Sequence, residues 1–487
     1  MRNARLFFLL LSVLLCTAFA QDPTARVIAE AQKPSALEAN LQRLTDEVGG
    51  RVPGTPAMQK AVEWGVVAFH ATGADSVHIE DFSLQASWSE GATRITVTAP
   101  EQFALRAVSI AWAPALAAQS HVPVIDLVQG TENDFAKAGN IAGAILLVHS
   151  DEMHKWADLF AEYLKAPGII DRAVKGKALA IAFQSTRPHD LLYRHTNAAD
   201  GEIDRLPMLL VAREDAKRLG RLLAAGQKLY ADISIPNTIG GPITAANVIA
   251  ELRGSEQPDE FVILGAHLDS WDLGTGALDN GCNAAMVVDA LRAIKASGAR
   301  PRRSIRFILF SGEEEGMVGS HAYAVAHRAE LDKVAGVVIF DSGIGRVTGF
   351  SLGGRRDLLP AATSLVAPLK PLDAATLTTD ADWGTDNFDF LLEGVPTFVA
   401  NQEEANYLLN YHAMSDTFDK VDLAELRKHV VIASALAFDI ANAPELPGPR
   451  LHHAQIEQTL RESHLDDELK TFGMWSDWES GKRGRKD

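Results

Sequence analysis

The central stretch of the chain, residues 241–445, repeats one pattern that limits its folding more than anything else in the sequence. Short apolar runs, Phe261 to Gly265, Ile305 to Phe310 and Val334 to Phe340, each stop at acids or histidine. Runs of this length are too short for core helices and read as strands buried on both faces. The helical pattern from Met286 to Ile294 separates the first two. Buried strands interleaved with helices imply an α/β layer fold with a largely parallel sheet. In open sheets of that kind the ligand crevice lies beyond the carboxyl ends of the strands. Those ends carry His267 and Asp269, then Gly312-Glu313-Glu314-Glu315-Gly316, then Asp341.

Other segments are placed around this core. Ser35 with Glu38 three residues on reads as a capping box, and Leu37, Leu41, Leu44 and Val48 continue at helical spacing to Gly49-Gly50. A second helical pattern follows Pro56, and Val77 to Leu84 and Arg94 to Thr98 alternate like half-buried strands. Residues 21–115 are therefore read as the first part of the α/β domain. From 116 to 240 the texture changes to short strands and turns without a cluster of acids and histidines, which reads as an inserted β-rich domain. The main domain resumes over 241–445. Its last helix opens at Asp422 with Glu425 three residues on, and residues 446–487 read as a polar, mobile tail.

At 487 residues, with 47% hydrophobic and 22% charged residues, the chain is long enough for about three domains and has an ordinary globular composition. A net charge of −17 disfavours nucleic acid or an anionic membrane as the main partner. Arg2 and Arg5, the apolar run Leu6 to Leu15 and Ala18-Phe19-Ala20 predict a signal peptide over residues 1–20, cleaved near Ala20. The expected location is secreted or periplasmic. Cys16 follows Leu15, where a lipid-attachment motif wants a small residue, and cleavage leaves Cys282 as the one cysteine of the mature chain. No later apolar stretch is long enough to span a bilayer.

Asp279 lies twelve residues after His267 in a glycine-flanked loop, and His412 follows Tyr411 in Tyr411-His412-Ala413-Met414-Ser415-Asp416-Thr417. Each residue alone has a plain explanation, as a helix cap, a dipole-compensating acid or a structural histidine. Together, two histidines and three carboxylates form an N/O donor set for two divalent metals, with one carboxylate spanning them. Such a pair can turn water into hydroxide at neutral pH and polarise a carbonyl.

The runs His267 to Gly281 (HLDSWDLGTGALDNG), Gly312 to Ser320 (GEEEGMVGS), Phe340 to Gly343 (FDSG) and Tyr411 to Thr417 (YHAMSDT) resemble the co-catalytic zinc exopeptidases. The match in order and spacing covers roughly residues 240–445, and HLDSWD is most similar to the carboxypeptidase Q and secreted aminopeptidase branch. Residues 139–148 and 205–208 resemble, less specifically, the protease-associated domain inserted in several members. The resemblance implies two Zn2+ ions, one held by His267, Asp279 and Asp341, the other by Asp279, Glu314 and His412. It implies Glu313 as general base and acid, Asp269 and Asp416 as acids behind the ligands, and a cis peptide bond at Asp279-Asn280. Tyr411 matches a tyrosine that in some relatives donates to the oxyanion, and a packing role is equally open.

Two departures from the family stand out: Cys282, read as a buried filler, and Glu315, a third consecutive acid, beside which alignment on Gly316-Met317 favours Glu313 as base and Glu314 as ligand. The substrates implied are short peptides, with the oligomeric state undetermined. An aminopeptidase or dipeptidase is the leading expectation, with Asp272 and Asp382 as candidates for holding a substrate amine. A carboxypeptidase is the alternative, with Arg355 and Arg356 as candidate carboxylate clamps. A non-catalytic binding protein and a single-zinc glutaminyl cyclase are the remaining readings.

Overall fold

The computed structural model describes residues 22–198 and 201–487, so the expected signal peptide, with Cys16, lies outside the described residues. Two large sheets divide the chain. The first contains β1 (Ser76–Leu84), β2 (Ile243–Leu252), β3 (Gln257–His267), β4 (Arg303–Phe310), β5 (Val334–Ile339), β6 (Val347–Ser351), β7 (Thr376–Thr378) and β8 (Thr397–Gln402). Their spatial order is β1-β2-β4-β3-β5-β8-β6-β7. The centre, β4, β3, β5 and β8, is parallel, whereas β1 and β2 join it antiparallel and β6 runs against β8. The expected parallel sheet is thus the middle of a mixed one. The helix Cys282–Ala296 supplies the crossover from β3 to β4, a length of connection that parallel strands require.

Strand β3 shows why the sheet is covered on both sides. Val262, Leu264 and Ala266 point into a layer that includes the helices Cys282–Ala296 and Leu423–Asn442. Phe261 and Ile263 point the other way, into a layer with Tyr323 and Phe390. Alternation with a period of two does the sorting. Asp422 caps the helix Leu423–Asn442 as expected, accepting from the N–H groups of Ala424 and Glu425. The capping box read at Ser35 does not form: the helix starts at Leu37, and the Ser35 hydroxyl is turned to Asp289.

The second sheet lies between β1 and β2 in sequence. Its strands run, in spatial order, Phe103–Leu105, Arg94–Ala99, Tyr230–Ile235, Leu116–Asp126, Ile145–Val148, Ala180–Gln184, Met208–Val211 and Ala107–Ser109. The boundary expected at 116 is therefore too late. Arg94–Ala99 pairs antiparallel with Tyr230–Ile235, so the inserted body opens near residue 94. Alternation along a strand reveals its buried face but not the sheet it joins. The helix Trp156–Lys175 covers one face of this sheet and Arg213–Ala224 the other.

The expected mobile tail is instead three docked helices, His453–Glu462, Leu465–Thr471 and Trp475–Ser480. Ile456, Leu460, Leu465, Leu469, Met474 and Trp478 form a core with Phe388 and Leu392 of the main domain. Its polar composition concealed apolar residues spaced one helical turn apart. Among the described residues, no helix is long and apolar enough to cross a membrane.

Candidate metal centre

Register brings the site residues to one level. His267 at the end of β3 pairs across from Phe310 at the end of β4, and Gly265 pairs with Ile339 of β5. Glu313 and Asp341, a few residues past those partners, emerge beside His267, all within 4.8 Å by one ligand atom each. His267, Asp279 and Glu314 form a second such group.

Asp279 divides its carboxylate between two neighbourhoods. Oδ1 lies 3.2 Å from His267 Nε2, which is also 3.0 Å from Asp341 Oδ1. Oδ2 lies 3.4 Å from His412 Nε2, which is 2.9 Å from Glu314 Oε2. The five residues expected as ligands thus come together in two groups that share Asp279. The Asp279-Asn280 peptide bond is cis.

Several acids are buried together here with little positive charge to match them. Burial, with Asp341 beside it, pushes the Glu313 carboxyl well above its ordinary range, and burial with Asp279 nearby does the same to Glu314. Burial drops His412 to about 3, so the imidazole is neutral and its nitrogen is free to coordinate. Asp279 Oδ2 and Glu314 Oε1 are buried without a hydrogen-bond partner. Unpaired buried carboxylates are costly unless a cation satisfies them. The donor set and its charge therefore fit a pair of divalent metal ions.

The surrounding residues orient this set. His267 Nδ1 is 3.1 Å from the main-chain oxygen of Asp269 and 3.6 Å from its carboxylate. The other carboxylate oxygen of Asp269 accepts from the Glu314 N–H at 3.2 Å. Asp269 thus links the two strand ends and lies behind the ligands. Asp416 accepts from the N–H groups of Ala277, Leu278 and Asp279 at 3.1, 2.7 and 3.1 Å. Burial raises its carboxyl to about 7. Tyr411 stacks on His412 with ring centres 3.6 Å apart.

Glu313 and Glu314 line the open cleft, whereas Glu315 does not and is almost wholly buried. Cys282 is buried, with its thiol toward the Leu278 and Gly343 carbonyls; burial raises its pKa, which agrees with a filler.

The candidates for substrate termini are elsewhere or already engaged. The Arg355 guanidinium is bound to Asp357 and to the carbonyls of Gly394 and Pro449, and Arg356 is exposed. Asp272 pairs with Arg194 at 2.5 Å, and Asp382 is exposed on the loop before Trp383.

Sequence reading missed Arg51. Its buried guanidinium donates to the carbonyls of Leu268, Gly49, Thr275 and Gly276 at 2.5 to 3.0 Å, fastening the loop between His267 and Asp279. A Cβ on the preceding Gly50 would lie 2.5 Å from the Asp272 Cα, so only glycine permits this approach. The glycines of Gly49-Gly50-Arg51-Val52-Pro53-Gly54 were the available signal. Tyr407, buried against Tyr411 with ring centres 5.5 Å apart, was missed as well.

The inserted body reaches the same site. Arg194 N–H donates to the His412 carbonyl and Met414 N–H to the Leu192 carbonyl, both at 3.0 Å, with Tyr193 and Ala413 forming an antiparallel bridge. The cleft in front of the ligands, about 220 Å³, is walled by Tyr163 and His195 of the insert, Trp271 of the main domain and Phe472 of the C-terminal helices.

Residues 247–437 match peptidase family M28. Carboxypeptidase Q from Mus musculus is 25% identical over 409 residues, which is 83% of this chain and 86% of the mouse protein. The crystal structure of a peptidase M28 precursor from Shewanella amazonensis SB2B is similar, with a TM-score of 0.79 and 25% identity, covering 88% of this chain and 98% of that one. BSAP, a zinc aminopeptidase from Bacillus subtilis, shares the fold with a TM-score of 0.64 at 17% identity, over 84% of this chain and 94% of its own. By its mixed α/β sheet and by the similarity of its metal-site region to peptidase family M28, the chain is a zinc-dependent exopeptidase.

Proposed function

We propose that the chain is a dizinc exopeptidase that splits dipeptides or removes the N-terminal residue of short peptides. The observation that carries this reading is the divided carboxylate of Asp279, with one oxygen toward His267 and Asp341 and the other toward His412 and Glu314. The five side chains would hold the two ions. Bound zinc supplies Lewis acidity toward the scissile carbonyl and lowers the pKa of water.

The chain's own residues do the rest. Glu313 lines the cleft beside the ligand groups and takes a proton from the attacking water, then hands it to the leaving amine. Burial raises its pKa, the direction that makes a carboxylate a better proton acceptor. Tyr411, which packs on His412 and lines the cleft, is the residue assigned to donate its phenol proton to the developing oxyanion. Asp269 and Asp416 hold the main chain of Glu314 and Asp279 in place.

The small cleft supports short substrates. A carboxypeptidase needs a cation for the substrate carboxylate, and among the described residues the one arginine or lysine lining this cleft, Arg483, is engaged by Asp389. That favours recognition of the amino end. The N-terminal sequence supports export to a secreted or periplasmic location.

The test is hydrolysis of an unblocked dipeptide, its N-acetylated form and its C-terminal amide by the mature chain with added zinc and a chelator control. Chelator-sensitive cleavage that N-acetylation abolishes is expected. Survival of the amide would identify an aminopeptidase, and its loss a dipeptidase. Cleavage that depends on the free carboxylate alone would refute the amino-end reading, and no cleavage at all would refute the enzyme reading.

A further inference from the structure

His412 sits in a backbone conformation that histidine seldom adopts. Tyr411 has φ −54° and ψ 119°, His412 has φ 58°, and the Ala413 N–H donates to the Asn410 carbonyl at 2.9 Å. These angles make residues 410–413 a type II turn with His412 at its third position, where glycine or asparagine is the usual occupant. A type I turn spans the same four residues with negative φ at both central positions, which suits histidine better. The two forms differ by turning over the peptide between the central residues, so the Tyr411 carbonyl faces opposite ways in them. Whatever holds that carbonyl selects the turn.

The hold comes from the insert. Arg187, buried just beyond the strand Ala180–Gln184, donates from Nη2 to the Tyr411 carbonyl at 3.1 Å. Its Nη1 donates to the Thr186 hydroxyl, which donates to the Tyr193 hydroxyl at 3.2 Å, and that hydroxyl donates to Glu162. The guanidinium also lies over the Tyr193 ring, 4.2 Å from its centre. A chain that begins at a cation and ends at a carboxylate polarises each of its links and offsets the cost of burying the arginine. On the far side of His412, the Arg194 N–H holds the His412 carbonyl at 3.0 Å. Both carbonyls that flank the His412 Cα are thus bonded from the insert, and the imidazole between them faces Glu314 and Asp279.

Resting on the dizinc reading above, we propose that Arg187 is a positioning residue for the metal centre: by holding the Tyr411 carbonyl it keeps the turn in its type II form and aims His412 at the ligand group shared with Glu314 and Asp279. Without Arg187 the middle peptide is free to turn over, His412 relaxes to negative φ, and its Nε2 leaves that group. The other group, His267, Asp279 and Asp341, contains no residue of this turn and keeps its ion.

The experiment measures zinc per chain by mass spectrometry after the mature chain is equilibrated in buffers of graded free zinc, for the wild type, Arg187→Met, His412→Ala and the double variant. The wild type is expected to bind two ions. Arg187→Met is expected to weaken one of them by about ten- to a hundredfold, the scale for groups that orient ligands, and to leave the other within about threefold. General destabilisation does not produce a loss confined to one ion. His412→Ala is expected to weaken the same ion, and Arg187→Met to add nothing further in the double variant, as for groups that act through one another. Arg187→Lys keeps a donor but not the fork that serves Thr186 and Tyr411 together, and is expected to weaken the same ion by at least about threefold. If Arg187→Met fails to fold, the lysine variant decides.

Two ions in the wild type that Arg187→Met retains, or weakens alike, or a further loss in the double variant, would overturn the role of Arg187 and leave the dizinc reading standing. A wild type that binds fewer than two ions would overturn that reading, and the proposal with it.

Discussion

Replacing Asp416 by asparagine tests how the bridging ligand is held. The Asp416 carboxylate serves three main-chain donors, Ala277 and Leu278 on one oxygen and Asp279 on the other. In Asp416→Asn the amide oxygen can keep the first two, but the NH2 group then faces the Asp279 N–H, donor against donor. The flipped amide is worse, since it sets one donor against two. One hydrogen bond to a charged acceptor is therefore lost, at about 1.5–3 kcal/mol. The side chain that bridges both ligand groups grows from this segment, so the cost falls on metal binding. At about 1.4 kcal/mol per factor of ten, the expected loss in zinc affinity is about ten- to a hundredfold, in keeping with the effect of removing groups that orient ligands. Zinc content per chain, measured by mass spectrometry after equilibration in buffers of graded free zinc, reads this directly. Occupancy curves of wild type and variant that coincide within about threefold would refute the claim that Asp416 holds Asp279 for the metals.

Glu313→Gln should retain both metals and lose kcat by at least about a hundredfold, because a base is removed and no ligand is; normal turnover in a stopped assay would move the base elsewhere. Asp279→Ala should deplete both metals and lower the melting temperature, since bound metal adds to folding stability; unchanged zinc content would end the bridging assignment. Arg51→Met removes a donor from the carbonyls of Leu268, Gly49, Thr275 and Gly276, at about 1 kcal/mol each, and should lower the melting temperature by at least about 5 °C. A melt that superimposes on the wild type would show that the loop between His267 and Asp279 holds itself.

The centre was legible because it depends on chain features of short range. Apolar runs that stop at acids give strand ends, and parallel register then levels His267, Glu313 and Asp341 without further information. Arg51 was not legible, since all its carbonyl partners but Gly49 lie more than two hundred residues away and a lone arginine after two glycines has no periodic signature. The tail was misjudged for a related reason. Its polar faces dominate the composition, and Trp478 and Met474 become a core only against Phe388 and Leu392. The start of the insert was misplaced because Arg94–Ala99 finds its partner at Tyr230–Ile235, and strand pairing across such a gap leaves no local trace.

The short backbone pairing between Leu192–Arg194 and His412–Met414 bears on how this architecture can change. A covering domain joined only through its two connections can be exchanged, lengthened or deleted without touching the chemistry beneath it. Here the insert offers main-chain partners to the very residues that flank His412, so its removal would strip hydrogen bonds from the ligand loop itself. The two bodies are therefore tied together as a single heritable unit, and any replacement for the insert must bring an extended segment of its own to the same place.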